Sequence, residues 1–469
     1  MVPLVELPYI VQHYAPWFES VFSAEAWLQF QRYVSGLLIS ENKTVEGINR
    51  LFVVESRHQS SLNRLLTQSP FSEAQLNQQR LALLNSLPGT QVKAKGVLSV
   101  DDTLLTHYGK HFAQIAYLFD HVEKRYTWAH NLVTLHYSDA HTDYPVHFQL
   151  WKPPDLARLE KGFLDAEIPL RESKFVLKET APKKWRQYLL GVWRRRQSQP
   201  EVAELYQSKL LIARQLLRRW VADNPTLKLP VTFDNWYTQP ALCRFVDQEL
   251  QLPYVGTLAA DDQVILKEGP LTLATFTARL KQEHQEALTE GKPPLFHKIG
   301  IVYKGTQETY YSYCRTQRIH NFGKQRLVIN FSNDDLSDTP RYYNSNRLYW
   351  QSGGITRIRR HRWPVEVYHE EGKAEGLDQY QVRDFQAISR HIGLVAVTYS
   401  LLRAAPHDPT FLHKLQRELE LNLEGSTPFW RRATQAQSLW ALACFISTGI
   451  AQGQSVREVM APVLATVCY

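Results

Sequence analysis

The sequence predicts an α/β fold in which a mixed sheet is interrupted by a β-rich insertion and flanked by helical regions at both ends. Its 469 residues exceed what one small core requires, so roughly two to four domains are expected. Strand-like segments begin only after Pro88-Gly89, and a second group of them lies between residues 261 and 349. From Asp384 onward the apolar periodicity is that of helices.

The N-terminal part, residues 1–94, has helical periodicity and no convincing strand. Two short helical patterns, Thr44–Phe52 and Gln59–Leu66, are spaced as in a helix-turn-helix-like bundle. In that arrangement the side chains that could meet phosphates are Arg50, Arg57, His58 and Arg64. A helical bundle with solvated charges fits the same pattern. We assign residues 1–94 as a helical DNA-binding region.

The first part of the core is expected at residues 95–260. Its strand-like segments are Gly96–Asp102, Trp128–Tyr137, Tyr144–Trp151, Leu229–Asp234 and Tyr254–Ala260. Residues 152–200 are rich in Pro, Lys and Arg and predict a surface excursion, and Glu201–Val221 has the period of an amphipathic helix. Three strands, a helix, a strand, a helix and a strand follow the order of an RNase H-like core. Because the first and fourth strands are neighbours in that fold, the aspartates at their ends should meet.

The remaining chain supplies an insertion and two further segments. The insertion, residues 261–349, is β-rich, and Lys304-Gly305-Thr306 predicts a hairpin turn within it. Residues 350–403 are expected to complete the core with a helix that carries Glu366, and residues 404–469 to form a helical C-terminal region.

Composition limits the function classes. A net charge of +8 and a pI of about 9.1 favour polyanionic partners. Four widely separated cysteines (Cys243, Cys314, Cys444 and Cys468) argue against a zinc ribbon or a disulfide framework and fit a reducing cytosol. No signal peptide is visible, and the longest apolar runs fall short of the ~20 residues of a membrane span. We therefore expect a cytoplasmic protein with no membrane partner.

Three acids are placed where a two-metal site needs them. Asp102 and Asp234 end apolar strands, and Glu366 lies on a helix. Phosphodiester chemistry with two Mg²⁺ ions about 3.5–4 Å apart requires such carboxylates, and Mn²⁺ can take the place of Mg²⁺. Asp101 competes with Asp102, since neighbouring strand residues face opposite sides. Glu370 and Glu371 compete in the same way with Glu366.

Basic and aromatic residues suggest how DNA would be held. Lys373 follows Glu366 by two helical turns, so both project from one face, and Pro364 suits the first turn, which places Arg362 at the helix start. Arg362 and Lys373 could contact phosphates, although a salt-bridged helix face explains them too. Trp363 could stack on an extruded base or could be a core indole.

A second basic cluster lies in the excursion. Its charged members are Lys183, Lys184, Arg194, Arg195 and Arg196. Because Trp185 and Trp193 are interleaved with them, we predict DNA contact combined with stacking rather than simple solvation. His107 and His111 have helical metal-ligand spacing but no partners that would complete a zinc site, and no phosphate-binding P-loop is present.

These motifs resemble those of bacterial insertion-sequence DDE transposases of the YREK group, in the branch called insertion sequence seven-oh-one. The resembling segments are Val100–Thr103, Tyr126–His130, Phe233–Tyr237 and His361–Glu366, with Lys373 seven positions after Glu366. The tyrosine of the signature, three residues before Arg362, is Arg359 here. That departure puts processing of the second DNA strand in question.

The resemblance implies a cut-and-paste DNA transposase. Such an enzyme nicks the ends of its element with two metal ions and joins the freed 3′-hydroxyl to target DNA. The implied partners are double-stranded DNA, both terminal inverted repeats and target, and a second copy of the chain in a synaptic homodimer. Two alternatives keep the same residues: a metal-dependent nuclease without strand transfer, and an inactive or domesticated DNA-binding relative.

Overall fold

The computed structural model describes residues 2–55 and 57–465, so Cys468 lies outside the described residues. Within these ranges one sheet holds twelve strands. In chain order they are β1 (Val97–His107), β2 (Ala116–Asp120), β3 (Arg125–Ser138), β4 (Asp143–Trp151), β5 (Val231–Phe233), β6 (Tyr254–Leu258), β7 (Gln263–Leu266), β8 (Gly269–Thr272), β9 (His297–Tyr303), β10 (Thr306–Ile319), β11 (Gly323–Phe331) and β12 (Arg341–Ser345).

Helices cover both faces of this sheet and both ends of the chain. They are α1 (Tyr9–Tyr14), α2 (Ala24–Ile39), α3 (Val45–Asn49), α4 (Ser60–Thr67), α5 (Glu73–Ser86), α6 (Leu156–Asp165), α7 (Glu172–Phe175), α8 (Leu177–Thr180), α9 (Pro182–Arg196), α10 (Pro200–Ala203), α11 (Lys209–Asp223), α12 (Pro240–Arg244), α13 (Leu273–Thr289), α14 (Ser352–Arg360), α15 (Trp363–Ala374), α16 (Phe385–Ala404), α17 (Pro409–Leu419), α18 (Thr427–Ala451) and α19 (Val456–Ala465). Among the described helices, none has the length and apolar content needed to cross a membrane.

The protein is a mixed α/β structure whose strand order explains how distant acids meet. The order across the sheet is β2-β3-β1-β5-β6-β12-β11-β10-β7-β8, with β4 also paired to β3 and β9 to β10. β1 is antiparallel to β3 and parallel to β5, and β5 is parallel to β6. The predicted neighbourhood of the first and fourth strands is therefore confirmed.

Buried side chains form several clusters. The largest joins the N-terminal helices, the sheet and α16 into one core that runs from Leu4 to Ala433. The insertion has its own core, in which Phe276 of α13 packs against strand residues such as Tyr313. A third cluster, around Trp185 and Trp193, holds α6 and α9 together.

Several local predictions differ from the structure. Residues 152–200 are largely helical and form a packed unit, because their leucines and tryptophans can bury one another. The helix expected from Glu201 begins at Lys209, since the side chain of Ser208 caps it by accepting the N–H of Leu211. Strand β2, strand β12 and helix α13 were not among the predicted elements.

The tip of the β9–β10 hairpin fastens the insertion to the core. Lys304 and Gly305 form the predicted turn, both with positive φ (47° and 80°). The ammonium of Lys304 donates to the buried carboxylate of Asp143 at 2.7 Å, and Arg403 donates to the same group at 3.0 Å. Arg360 pairs with Glu308 of the hairpin at 2.7 Å. The insertion is thus held beside α14, which directly precedes Arg362 and helix α15.

Candidate active site

Two carboxylates lie side by side where β1 and β5 run in parallel. Val100 pairs with Phe233, the last residue of β5, and the next residues in the chain are Asp101 of β1 and Asp234, just past the end of β5. Residues opposite one another on neighbouring strands point to the same face of a sheet. The charge of Asp234 contributes to raising the pKa of Asp101, as expected for such proximity.

Arg362 connects this strand pair to α15. It stands immediately before the helix, and Pro364 occupies the first turn, where its missing N–H leaves no intrahelical bond unmade. One guanidinium nitrogen donates to Asp101 at 2.6 Å, and another donates to Glu366, one turn into the helix. A single cation therefore lies between the carboxylates of Asp101 and Glu366.

The electrostatics of this cluster are set mainly by burial. Burial, followed by the charges of Asp234 and Asp102, raises the pKa of Asp101 to about 7, while Arg362 acts in the opposite direction. Burial and the neighbouring Arg362 lower the pKa of Arg359 to about 10. The Nε of Arg359 donates to Thr257 at 2.7 Å. The site thus concentrates charges of both signs in a partly dehydrated environment.

The structure places Asp102 on the other face of β1, away from Arg362 and Glu366. Its carboxylate accepts hydrogen bonds from Tyr237 at 2.7 Å and Asn131 at 2.6 Å, and its ion pair with Lys209 of α11 is 3.0 Å long. The choice of Asp102 to meet Glu366 stays a prediction, but in the structure Arg362 joins Glu366 to Asp101 and not to Asp102. The physical reason is the two-residue alternation of a strand, which turns Asp101 toward α15 and Asp102 toward α11. Asp102 also lies within β1, which continues to His107, and does not end the strand as expected.

Tyr237 links Asp102 to the segment that carries Asp234. Its hydroxyl donates to Asp102, and its backbone N–H donates to the carboxylate of Asp234 at 2.9 Å. Its neighbour Trp236 is exposed, and the ammonium of Lys209 lies 4.1 Å from the centre of that indole ring. The hydrogen bonds of Tyr237 to Asp102 and Asp234 therefore help to fix the position of Asp234. Neither Lys209 nor Tyr237 was predicted from the sequence as a site residue. Their contacts with Asp102 join segments that are distant in the sequence, so the spacing of residues does not reveal them.

The donor types fit a hard divalent cation. Asp101, Asp234 and Glu366 offer carboxylate oxygens, the ligands that Mg²⁺ prefers. Across residues 2–55 and 57–465, no three Asp, Glu, His or Cys side chains are gathered closely enough to hold an ion. The guanidinium of Arg362 bonds to two of the three carboxylates, those of Asp101 and Glu366. Metal binding would require that side chain to move toward another anion.

The other sequence-predicted residues of α15 have different surroundings. Trp363 is exposed at the helix start, so it is not a core indole. Lys373 is half-buried in the last turn. Of the competitors of Glu366, Glu370 is solvent-exposed, and Glu371 lies close enough to Arg403 for that charge to affect its pKa.

The basic cluster of the excursion lies on α9. Its charged residues, Lys183, Lys184, Arg194, Arg195 and Arg196, are exposed. Trp185 and Trp193 are instead buried in the core of the excursion, so the expected stacking role of these two tryptophans is not supported. The cluster therefore presents positive charges to solvent without the rings of Trp185 and Trp193.

Sequence comparison decides the family. A model of the DDE superfamily endonucleases matches residues 18–275, which is more than half of the chain and includes Asp101, Asp102 and Asp234. The chain belongs to the DDE superfamily endonucleases. No curated protein matches it. Among solved structures it shows a similarity to the piggyBac transposase in a synaptic complex with hairpin DNA, studied by cryo-electron microscopy. That similarity covers 93% of this chain and 79% of the other, at 12% identity and a TM-score of 0.37, too low to establish a shared fold.

Proposed function

We propose that this DDE-superfamily chain is a metal-dependent DNA endonuclease that works as a cut-and-paste transposase, with Asp101, Asp234 and Glu366 as its metal ligands. The observation that carries the proposal is the arrangement of Asp101 and Glu366 on either side of Arg362, next to Asp234. The family membership supports nuclease chemistry on this core. Asp101 replaces Asp102, which the sequence alone had favoured.

The metal ions, two Mg²⁺ or Mn²⁺, would activate the attacking hydroxyl and stabilise the leaving 3′-oxygen. Asp101 and Asp234 would supply ligands from the rigid strand pair, and Glu366 from the first turns of α15. Asp102, through Tyr237, would keep Asp234 in place. Each residue then acts from an element whose position is fixed by the sheet.

Arg362 would exchange partners when DNA enters. Its guanidinium can hold a phosphate through two parallel hydrogen bonds, so a backbone phosphate would compete with the two carboxylates for it. The carboxylates of Asp101 and Glu366 released in this way would be able to hold cations. In this proposal Arg362 neutralises the two acids in the absence of DNA and positions the DNA end when DNA is bound, with Lys373 and Trp363 as further DNA contacts on α15.

The proposed reaction begins with nicking at each end of the element. The nick leaves a 3′-hydroxyl, which attacks a phosphodiester of target DNA in line and displaces a 3′-oxygen, so no covalent link to the protein forms. Membership of the YREK group is part of this proposal, with Arg359 in the position of its tyrosine. The proposed partners are the terminal inverted repeats, target DNA and a second copy of the chain.

A supercoiled plasmid that carries the element's own ends tests the proposal. With Mg²⁺ the wild-type chain should cut at those ends, and Asp234→Ala and Glu366→Gln should abolish cutting. Products in which an element end is joined to target DNA would establish strand transfer, whereas cutting without joining would favour the nuclease alternative. Binding of the ends without any cutting, with Mn²⁺ as well, would favour an inactive DNA-binding relative.

A further inference from the structure

A row of aromatic side chains crosses the β2–β3 hairpin at one edge of the sheet. Tyr117 of β2 lies opposite Trp128 of β3, and Phe119 lies opposite Tyr126. Residues opposite one another share a face, so all four rings lie on one side of the hairpin. We call Tyr117, Phe119, Tyr126 and Trp128 the hairpin aromatic stripe.

The rings of the stripe contact one another in an unbroken series. Tyr117 is stacked on Tyr126 with ring centres 5.4 Å apart and planes 22° apart. The ring centres of Tyr117 and Trp128 are 5.3 Å apart, and those of Phe119 and Tyr126 are 5.2 Å apart. Such contacts fix the orientation of each ring. The stripe is therefore an ordered surface.

Much of this aromatic area faces solvent. Tyr117 is 55% exposed, Tyr126 51% and Phe119 39%. Contiguous exposed rings on a sheet edge are costly unless something covers them, and they commonly mark a binding surface. Cross-strand stacking stabilises the hairpin, but it does not require rings that leave half of their surface in water.

The charges around the stripe favour an anionic ligand. Lys183, from the exposed basic cluster of α9, places its ammonium 5.5 Å from the centre of the Tyr126 ring. Lys124 and Arg125 lie at the hairpin turn and are exposed. The acidic side chain of Glu123 is also there and contacts Arg125 at 3.8 Å. Cations beside stacked rings suit a ligand that combines flat bases with phosphates.

The stripe also shares a sheet face with the candidate active site. The pairing of β1 with β3 runs without a shift from Val97 to His107, and His107 lies opposite Trp128. Asp101 and His107 are six positions apart, so they point to the same face. At about 3.3 Å per residue, the stripe begins roughly 20 Å along the strand from Asp101. Between the two, His107 and His130 lie under Tyr380, so a DNA strand leaving the site would pass over this cover to reach the stripe.

We propose that the hairpin aromatic stripe binds unpaired nucleotides of a DNA strand, stacking their bases on Tyr117, Tyr126 and Phe119 while Lys183 contacts a phosphate. Bases of an intact duplex are already stacked on one another, so only unpaired ones can use these rings. The inference rests on the proposed function for its ligand, DNA, and adds a preference for single-stranded segments beside the cleaved end.

The test compares two labelled DNAs by fluorescence anisotropy in EDTA, so that no cleavage occurs. One is a blunt duplex of an element end, and the other is the same duplex with an unpaired tail of about ten nucleotides, long enough to span the roughly 20 Å at about 3.4 Å per base. Wild type should bind the tailed DNA about tenfold more tightly than the blunt one. Tyr117→Leu with Tyr126→Leu should remove that advantage and leave blunt-duplex affinity unchanged.

Two controls separate stacking from folding. Tyr117→Phe with Tyr126→Phe keeps the rings and should keep the advantage, and Trp440→Leu, which removes an exposed ring from α18, should also keep it. Equal affinity of wild type for tailed and blunt DNA would overturn the inference and leave the proposed function intact. If the leucine variant still bound tailed DNA more tightly than blunt DNA, the inference would also be overturned. If the leucine variant lost the ability to dimerise, the stripe would be a protein contact and the inference would be wrong. Failure of wild type to bind either DNA would instead contradict the proposed function.

Discussion

Arg362 donates a 2.6 Å hydrogen bond to Asp101, a residue 261 positions earlier in the chain, and so joins helix α15 to the central strand β1. The same guanidinium contacts Glu366. One side chain thereby neutralises two acids that would otherwise repel each other beside Asp234. This relationship supports the proposal that Asp101 rather than Asp102 is the first acid of the site, and it places a guanidinium, a group able to bind phosphate, among the proposed metal ligands.

Replacing Arg362 should impair DNA cleavage much more than it impairs folding. Arg362→Gln removes the contacts to both carboxylates and the group proposed to position phosphate, so the cleavage rate should fall by a factor of about 10²–10³. The measurement is the single-turnover rate on plasmid that carries the element ends. Arg357→Gln makes the same charge change at an exposed position of α14 and should lose little activity. Equal losses of cleavage rate in the two variants would show that the effect comes from the overall charge of the protein and not from the position of Arg362.

Tyr237 should affect DNA cleavage by holding Asp102 and Asp234 in position. Tyr237→Phe keeps the buried ring and removes only the hydroxyl that donates to Asp102. A hydrogen bond of this kind contributes about 1 kcal/mol, so cleavage should fall by about five- to tenfold, with an increase in the Mg²⁺ concentration that gives half-maximal rate. Tyr254→Phe, which removes a buried hydroxyl bonded to Gln325, is the matched control. An unchanged Mg²⁺ dependence would argue against a link from Asp102 to Asp234.

Asp143 should be essential for stability. It is buried and accepts from Lys304 and Arg403, so Asp143→Asn would leave two cations without their counter-charge. Breaking a buried pair in this way costs about 3–5 kcal/mol of unfolding free energy. Glu46→Gln, which breaks the exposed pair with Arg50, should cost less than about 1 kcal/mol. Denaturant unfolding measures both, and similar losses would contradict the assigned role of Asp143.

Buried histidines should make the protein sensitive to mild acid. In the neutral form His391 accepts from Tyr33 at Nδ1 and donates to Gly376 from Nε2, and burial lowers its pKa to about 4. The unfolded chain takes up a proton below a pKa of about 6.5, while the native chain does so only near 4. The full contribution of neutral His391 to the unfolding free energy is therefore present above about pH 6.5. It falls by on the order of 1 kcal/mol per pH unit as the pH drops toward 4.

The acid sensitivity can be assigned with one variant. His391→Gln should have a shallower dependence of unfolding free energy on pH between about 6.5 and 4. His58→Gln, at an exposed position, should keep the wild-type slope. If both variants retained the wild-type slope, other groups would account for the acid sensitivity.

The sequence predicted β1, β3, β4, β5 and β6 in their chain order but missed β2, because period and length distinguish the longer or more apolar strands from helices here. The adjacency of β1 and β5, and with it the position of Asp234, followed from that order. The face of β1 that α15 covers did not follow, because Asp101 and Asp102 differ only by the alternation of the strand. Trp185 and Trp193 were misjudged for a similar reason, since their neighbours in sequence are charged while their neighbours in space are apolar.

The division of roles between Asp101 and Asp102 is tested most directly by comparing their asparagine variants in Mg²⁺-dependent cleavage of the element ends. Both changes replace a carboxyl group of β1 by an amide and preserve side-chain volume. The account predicts that Asp101→Asn shows no cutting above background, whereas Asp102→Asn still cuts, at a rate lower by about tenfold or less. Cutting by Asp101→Asn with none by Asp102→Asn would contradict it.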